Sequence, residues 1–142
     1  MKSLPLMATV AFMLAYAQPI FAQHYQLDCE VSHYGKYSSG EARKVAESWF
    51  PQKSTHIISG DKSYHVEFGI IGTASQPRNR INFTYPLYSE NGLSRPVKFT
   101  YLSQNDKLTG IMHPGVHNFD IQVSGKCHSG DLTRNQAAAY FR

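Results

Sequence analysis

Apolar and polar residues alternate along most of this chain, and a period of two confines it to an extended, sheet-forming fold. In the segment 25–32, Tyr25, Leu27, Cys29 and Val31 share one face, and Gln26, Asp28, Glu30 and Ser32 share the other. Near the end, Phe119, Ile121, Val123 and Cys127 share a face against Asp120, Gln122 and Lys126. Between these, Tyr64, Val66, Phe68 and Ile70 alternate with His65, Glu67 and Gly69. Ile81, Phe83 and Tyr85 alternate with Asn82 and Thr84, and Val97, Phe99 and Tyr101 with Lys98 and Thr100. The run Leu108–Met112 is shorter, and its Gly110 reads as a bulge or an edge. Turn signals such as Gly60-Asp61, Asn105-Asp106 and Pro114-Gly115 separate the runs. The pattern predicts an all-β, mainly antiparallel domain of about seven strands, either a β-sandwich or a small β-barrel.

One segment departs from this period. Ala42, Val45, Ala46 and Trp49 have helical spacing, Ser38 and Glu41 fit a capping box, and Pro51 stops the run. This predicts one short helix near 40–50 that covers or plugs the sheet, with Trp49 as its anchor. The tail 129–142 is expected to be a short helix capped by Asp131 or a frayed end.

The N-terminus has the form of a secretory signal. Lys2 is followed by an uncharged apolar stretch, Leu4 to Tyr16, then Gln18-Pro19 and a cleavage site after Ala22. The stretch is shorter than the roughly 20 residues of a membrane span. Residues 1–22 are therefore expected to be removed on export to a periplasmic or secreted location. Residues 23–142 then form a single disulfide-closed β domain without a transmembrane segment. Lys plus Arg number 14 and Asp plus Glu 10 in the whole chain, and loss of Lys2 leaves a net charge of +3. That excess is too small for a typical nucleic-acid binder. It suits a protein partner or an anionic cell-envelope component, with the oligomeric state left open. Cys29 and Cys127 both lie on the apolar side of their strands, as a bridge between first and last strands requires, and an oxidising compartment favours a disulfide.

Seven histidines, all beyond residue 22, are the unusual feature of the composition. His113 and His117 flank Pro114-Gly115, and a turn there brings both imidazoles near one point, with His128 as a third ligand. If Gly60-Asp61 are the central residues of a hairpin, His56 faces His65 across the ladder, about 5 Å apart at Cβ. Zinc or copper are the metals that imidazole suits, although no cofactor is required by any motif. Neither a Gly-x-Ser-x-Gly elbow nor a His-Glu-x-x-His pattern occurs, which favours a non-catalytic protein. Arg78, Arg80, Arg95 and Lys98 flank the entries to two successive strands. If those strands pair, the four form a grip for a carboxylate, phosphate or sulfated sugar. Tyr88, with Tyr34 and Tyr37, is the matching aromatic surface.

The export signal, small β fold and terminal disulfide resemble the exported lysozyme inhibitors of Gram-negative bacteria. Some of these carry a Ser-Gly-x-x-Tyr element in an inhibitory loop. Here Ser59-Gly60 precedes Tyr64 with one residue more than that spacing. The leading expectation is an exported binding or inhibitor-type protein that works through loop residues. The alternatives are a His-dependent metal-binding protein or hydrolase, and a structural or adhesive envelope subunit with an exposed edge strand.

Overall fold

The computed structural model describes residues 23–88, 94–112 and 120–142; the expected signal, 1–22, and His113 and His117 lie outside them. Eight antiparallel strands follow one another around a closed barrel in chain order. They are β1 (His24–His33), β2 (Lys53–Ser59), β3 (Lys62–His65), β4 (Ile70–Ser75), β5 (Arg80–Tyr88), β6 (Ser94–Leu102), β7 (Lys107–Met112) and β8 (Ile121–Asp131). The connection between β1 and β2 carries a 3-10 turn (Gly35–Tyr37) and helix α1 (Gly40–Trp49). After β8 come helix α2 (Arg134–Ala138) and a final 3-10 turn (Ala139–Phe141). The β2–β3, β4–β5 and β6–β7 connections gather at one end, called lower here, and the β1–β2 and β3–β4 connections at the upper end.

The alternation reads out directly in burial. Leu27, Cys29, Val31, Ile81, Phe83, Tyr85, Val97, Phe99, Tyr101, Leu108, Met112, Ile121 and Val123 all point into the core. Cys29 and Cys127 are bonded and directly opposite each other between β1 and β8. The Cys127 N–H donates to Asp106 on the far side. The pair is therefore a non-hydrogen-bonded one, the type in which side chains approach most closely. No described helix is long and apolar enough to cross a membrane.

The strand count is eight rather than seven because the run 64–70 is not one strand. It folds back through a turn at 66–69, where Gly69 adopts φ +65° and its N–H donates to the His65 carbonyl. Only glycine takes that left-handed conformation at little cost. The turn also reverses the expected facing: His65 is fully buried, Val66 is exposed, and Tyr64 lies on the outer wall. β7 is neither bulged nor an edge, since β6 and β8 flank it on both sides. Its Gly110 makes room for a neighbour: a Cβ there would lie 2.7 Å from Phe50.

Helix α1 forms where its spacing predicts, but Ser39 is its N-cap and makes no side-chain capping bond, so the Ser38–Glu41 box is absent. The main anchor is Phe50, just past the helix, fully buried and edge-on to Phe99 at 5.4 Å. Trp49 is only partly buried against the core. Tyr34 is buried, donates its hydroxyl to the Phe50 carbonyl (2.8 Å), and lies under the Arg43 guanidinium at 3.9 Å. Helix and flanks thus plug the upper end. The tail is docked. Thr133, not Asp131, caps α2 through a reciprocal box with Gln136. Ala137 is buried, and Tyr140 and Phe141 meet the Tyr64 ring at 5.6 and 6.3 Å.

Candidate functional site

The β2–β3 hairpin has the register that a Gly60-Asp61 turn dictates, with His56 opposite His65. Both rings point into the barrel, 4.7 Å apart. Hydrogen bonds surround them. The Ser63 hydroxyl donates to the Thr73 carbonyl (3.0 Å). His56 Nδ1 is bonded to the Tyr85 hydroxyl (2.8 Å) and His56 Nε2 to the Ser54 hydroxyl (2.8 Å). His65 Nδ1 accepts the Phe68 N–H (3.3 Å), which puts its proton on Nε2, a buried atom with no hydrogen-bond partner. Phe68 stacks on the His65 ring at 4.1 Å, and Phe83 and Phe99 each lie 5.0 Å from His56.

A serine hydroxyl within reach of an imidazole is the starting geometry of nucleophilic catalysis. Here burial, and then the neighbouring His65, hold His56 well below the ordinary histidine pKa, so the ring is a poor proton acceptor. Burial lowers His65 to about 4 and raises the Tyr85 hydroxyl. The arrangement is a neutral lock that joins β2, β3, β4 and β5. Both His56 nitrogens are engaged in these hydrogen bonds. Among the described residues no three His, Cys, Asp or Glu side chains converge on one point. His128 is exposed on the outer wall, opposite Asp28.

The lower mouth has different chemistry. A cleft of ≈590 Å³ opens there, with Tyr25, Ile81 and Tyr101 as its apolar part and Asp61, Gln76 and Arg80 among its polar groups. Its rim is stitched. Gln76 Nε2 donates to the carbonyls of Gln23 (3.2 Å) and Gly60 (3.1 Å). Ser103 bonds the Asn79 carbonyl through both N–H and hydroxyl (3.0 and 3.1 Å). Among the described residues, Asn79 and Asp106, at φ 54° and 57°, are the positive-φ non-glycine residues, and Asn and Asp are the types that best tolerate that region. Tyr101 donates to Asp106 at 2.5 Å; burial, then this bond, raise its pKa.

Of the four expected cations, Arg80 lines this cleft, and Arg78 is exposed in the preceding loop. The other two are elsewhere. In the β5–β6 hairpin Arg80 pairs with Leu102, while Arg95 pairs with Leu87 and Lys98 with Thr84. Antiparallel pairing sets the entry of one strand beside the exit of the next, so Arg95 lies at the opposite end from Arg80, Lys98 lies midway along β6, and the four do not form one grip. Tyr88, opposite Ser94, belongs to the upper end. Tyr34 is buried and Tyr37 partly so, which removes them from an open aromatic surface. What sequence reading missed is the mouth itself: Tyr25, Asp61 and Gln76 are distant in sequence and meet only through barrel closure. Its local traces were the turn signals at Gly60-Asp61 and Ser75-Gln76-Pro77 and the candidate Arg80.

Compared with family models, with curated proteins and with solved structures, the chain finds no match in any of the three.

Proposed function

We propose that this chain is an exported, non-catalytic binding or inhibitor-type protein that engages its ligand at the lower mouth of the barrel. The observation that carries this reading is the mouth cleft, a concave polar surface with an apolar floor on a barrel whose interior is filled by its own side chains. Small barrels of this size hold a ligand at the mouth when the interior is packed. Asp61 and Arg80 supply one charge of each sign, Gln76 and Asn79 supply amides, and the stitched rim limits the ordering cost of binding. The Cys29–Cys127 bond suits an oxidising compartment, in keeping with removal of residues 1–22 and a mature chain that opens at Gln23.

The test is an array of cell-envelope glycans and peptides probed with the processed, secreted protein and with a Tyr25→Ala/Arg80→Gln variant. Retention on a defined subset by the parent and its loss in the variant is the expected result. Retention that ignores both substitutions, or an N-terminus other than the neighbourhood of Gln23 on the exported protein, overturns the reading.

A further inference from the structure

A second surface, separate from the mouth, emerges from the strand register. Outward-facing residues of β5, β6, β7 and β8 line up in rungs around the barrel. Asn82, Thr100, Thr109 and Ser124 are successive partners in one rung, and Thr84, Lys98, Ile111 and Gln122 in the next. Below them Lys107 and Lys126 are directly opposite each other, and both are exposed. β5, β6 and β7 contain no Asp or Glu, and β8 has one only at its last residue, Asp131. A groove of ≈590 Å³ runs along this wall, lined by Lys98, Thr100, Thr109, Gln122 and Ser124, with His33 at its side.

We propose that this outer wall binds an acidic polysaccharide. Lys98 lies above the hydroxyl rung and the Lys107–Lys126 pair below it. From the strand rise of about 3.3 Å, Lys98 and Lys107 are roughly 13 Å apart along the wall. Cations separated by hydroxyl and amide groups match a chain whose charged units are separated by sugar hydroxyls. Two like charges directly opposite on neighbouring strands disfavour each other, and an anionic group between them removes that repulsion. The cross-strand neighbours of Lys107 are Lys126 and Leu102, so no carboxylate faces it from an adjacent strand. The Asp106 carboxylate, next along the chain, accepts from Tyr101. Glu30 of β1 faces Lys126 from the other side and marks the limit of the surface, beyond which Asp28 and Thr55 begin an acid-bearing wall. The described outward residues of this wall include no aromatic side chain on which bases would stack, which favours a glycan over a single-stranded nucleic acid.

Calorimetric titration of the processed protein with oligogalacturonate, with a chondroitin sulfate oligosaccharide and with neutral dextran tests the proposal. Saturable binding of at least one acidic chain, weakened by salt, and none of dextran is expected. Carboxylate and sulfate sources are told apart by which of the two binds. Lys98→Gln/Lys107→Gln/Lys126→Gln weakens binding about tenfold or more, and Thr109→Val/Ser124→Ala weakens it measurably. Lys44→Gln/Arg134→Gln, which removes as much charge as two of those changes but elsewhere, leaves it unchanged. Lys107→Gln alone keeps the parent Tm or raises it, which separates lost contact from lost fold. The proposal fails if neither acidic chain binds or if the triple variant binds like the parent. It fails equally if duplex DNA binds as tightly as the acidic chains and ignores the Thr109/Ser124 change. The mouth and wall variants are separate proteins, so failure of one site leaves the other to be judged alone.

Discussion

The two sides of the barrel interior are built differently. Towards β1, β7 and β8 it is aliphatic, with Leu27, Val31, Leu108, Met112, Ile121, Val123 and the Cys29–Cys127 bond. Towards β2, β3 and β5 it holds Ser54, His56, Ser63, His65 and Tyr85, all buried. Aliphatic packing is nondirectional and tolerates small adjustments. The polar side depends on each partner being present and in one protonation state, since an unmade buried hydrogen bond costs more than a made one contributes. The first side therefore sets most of the stability, and the second sets which register and which pH the fold accepts.

The largest effect that separates the two sides is on the disulfide. Cys29→Ala/Cys127→Ala opens a loop whose ends are 98 residues apart, which on the chain-entropy argument costs about 4–5 kcal/mol of unfolding free energy. Urea denaturation monitored by far-UV circular dichroism measures it. A loss under about 1 kcal/mol would mean that the aliphatic side holds β1 to β8 without the bridge.

Acid acts on the other side. The folded pKa of His65 is about 4 against an ordinary 6.5, and His56 is lowered as well. Both are neutral in the fold, so below pH 6.5 the unfolded chain takes up protons that the folded chain does not. The stability they permit is fully present above pH 6.5 and declines as pH falls towards 4, where the His65 share levels off. That share is on the order of 2–3 kcal/mol. Denaturation midpoints between pH 7 and pH 4 should show the decline, and His65→Asn should flatten it. Equal slopes in parent and variant would place the acid sensitivity elsewhere.

The smallest change sharpens the comparison most. Tyr85→Phe removes one oxygen and leaves His56 Nδ1 without its buried hydrogen-bond partner. We expect a loss of about 2 kcal/mol, against well under half of that for a volume-matched Ile121→Leu on the aliphatic side. Comparable losses at the two positions would contradict a hydrogen-bonded lock.

The inward faces of β1, β5, β6, β7 and β8 were legible in the sequence because period-two burial needs no partner to be known. Cys29 and Cys127 belong to those faces, and their parity, together with an exported chain's oxidising compartment, made the bridge readable. The His56–His65 opposition was legible too, from the turn at Gly60-Asp61. Its facing was not. Alternation through 64–70 assigns all the apolar residues to the core, but Tyr64 packs against the tail on the outer wall and Val66 is exposed, while Phe68 and Ile70 still reach the core. A local pattern cannot tell which side of a strand a distant tail will cover.

The alternating sequence by itself determined that this chain makes an antiparallel β structure, with a helix near 40–50 and a bridge between its ends. Those properties follow from local spacing and the chemistry of single residues. Closure into a barrel, the burial of His56 and His65, the separation of Arg80 from Arg95, and the meeting of Lys107 with Lys126 were decided only by tertiary structure. Each depends on which strands are neighbours and in what register, and register is a property of pairs of segments, not of either segment alone.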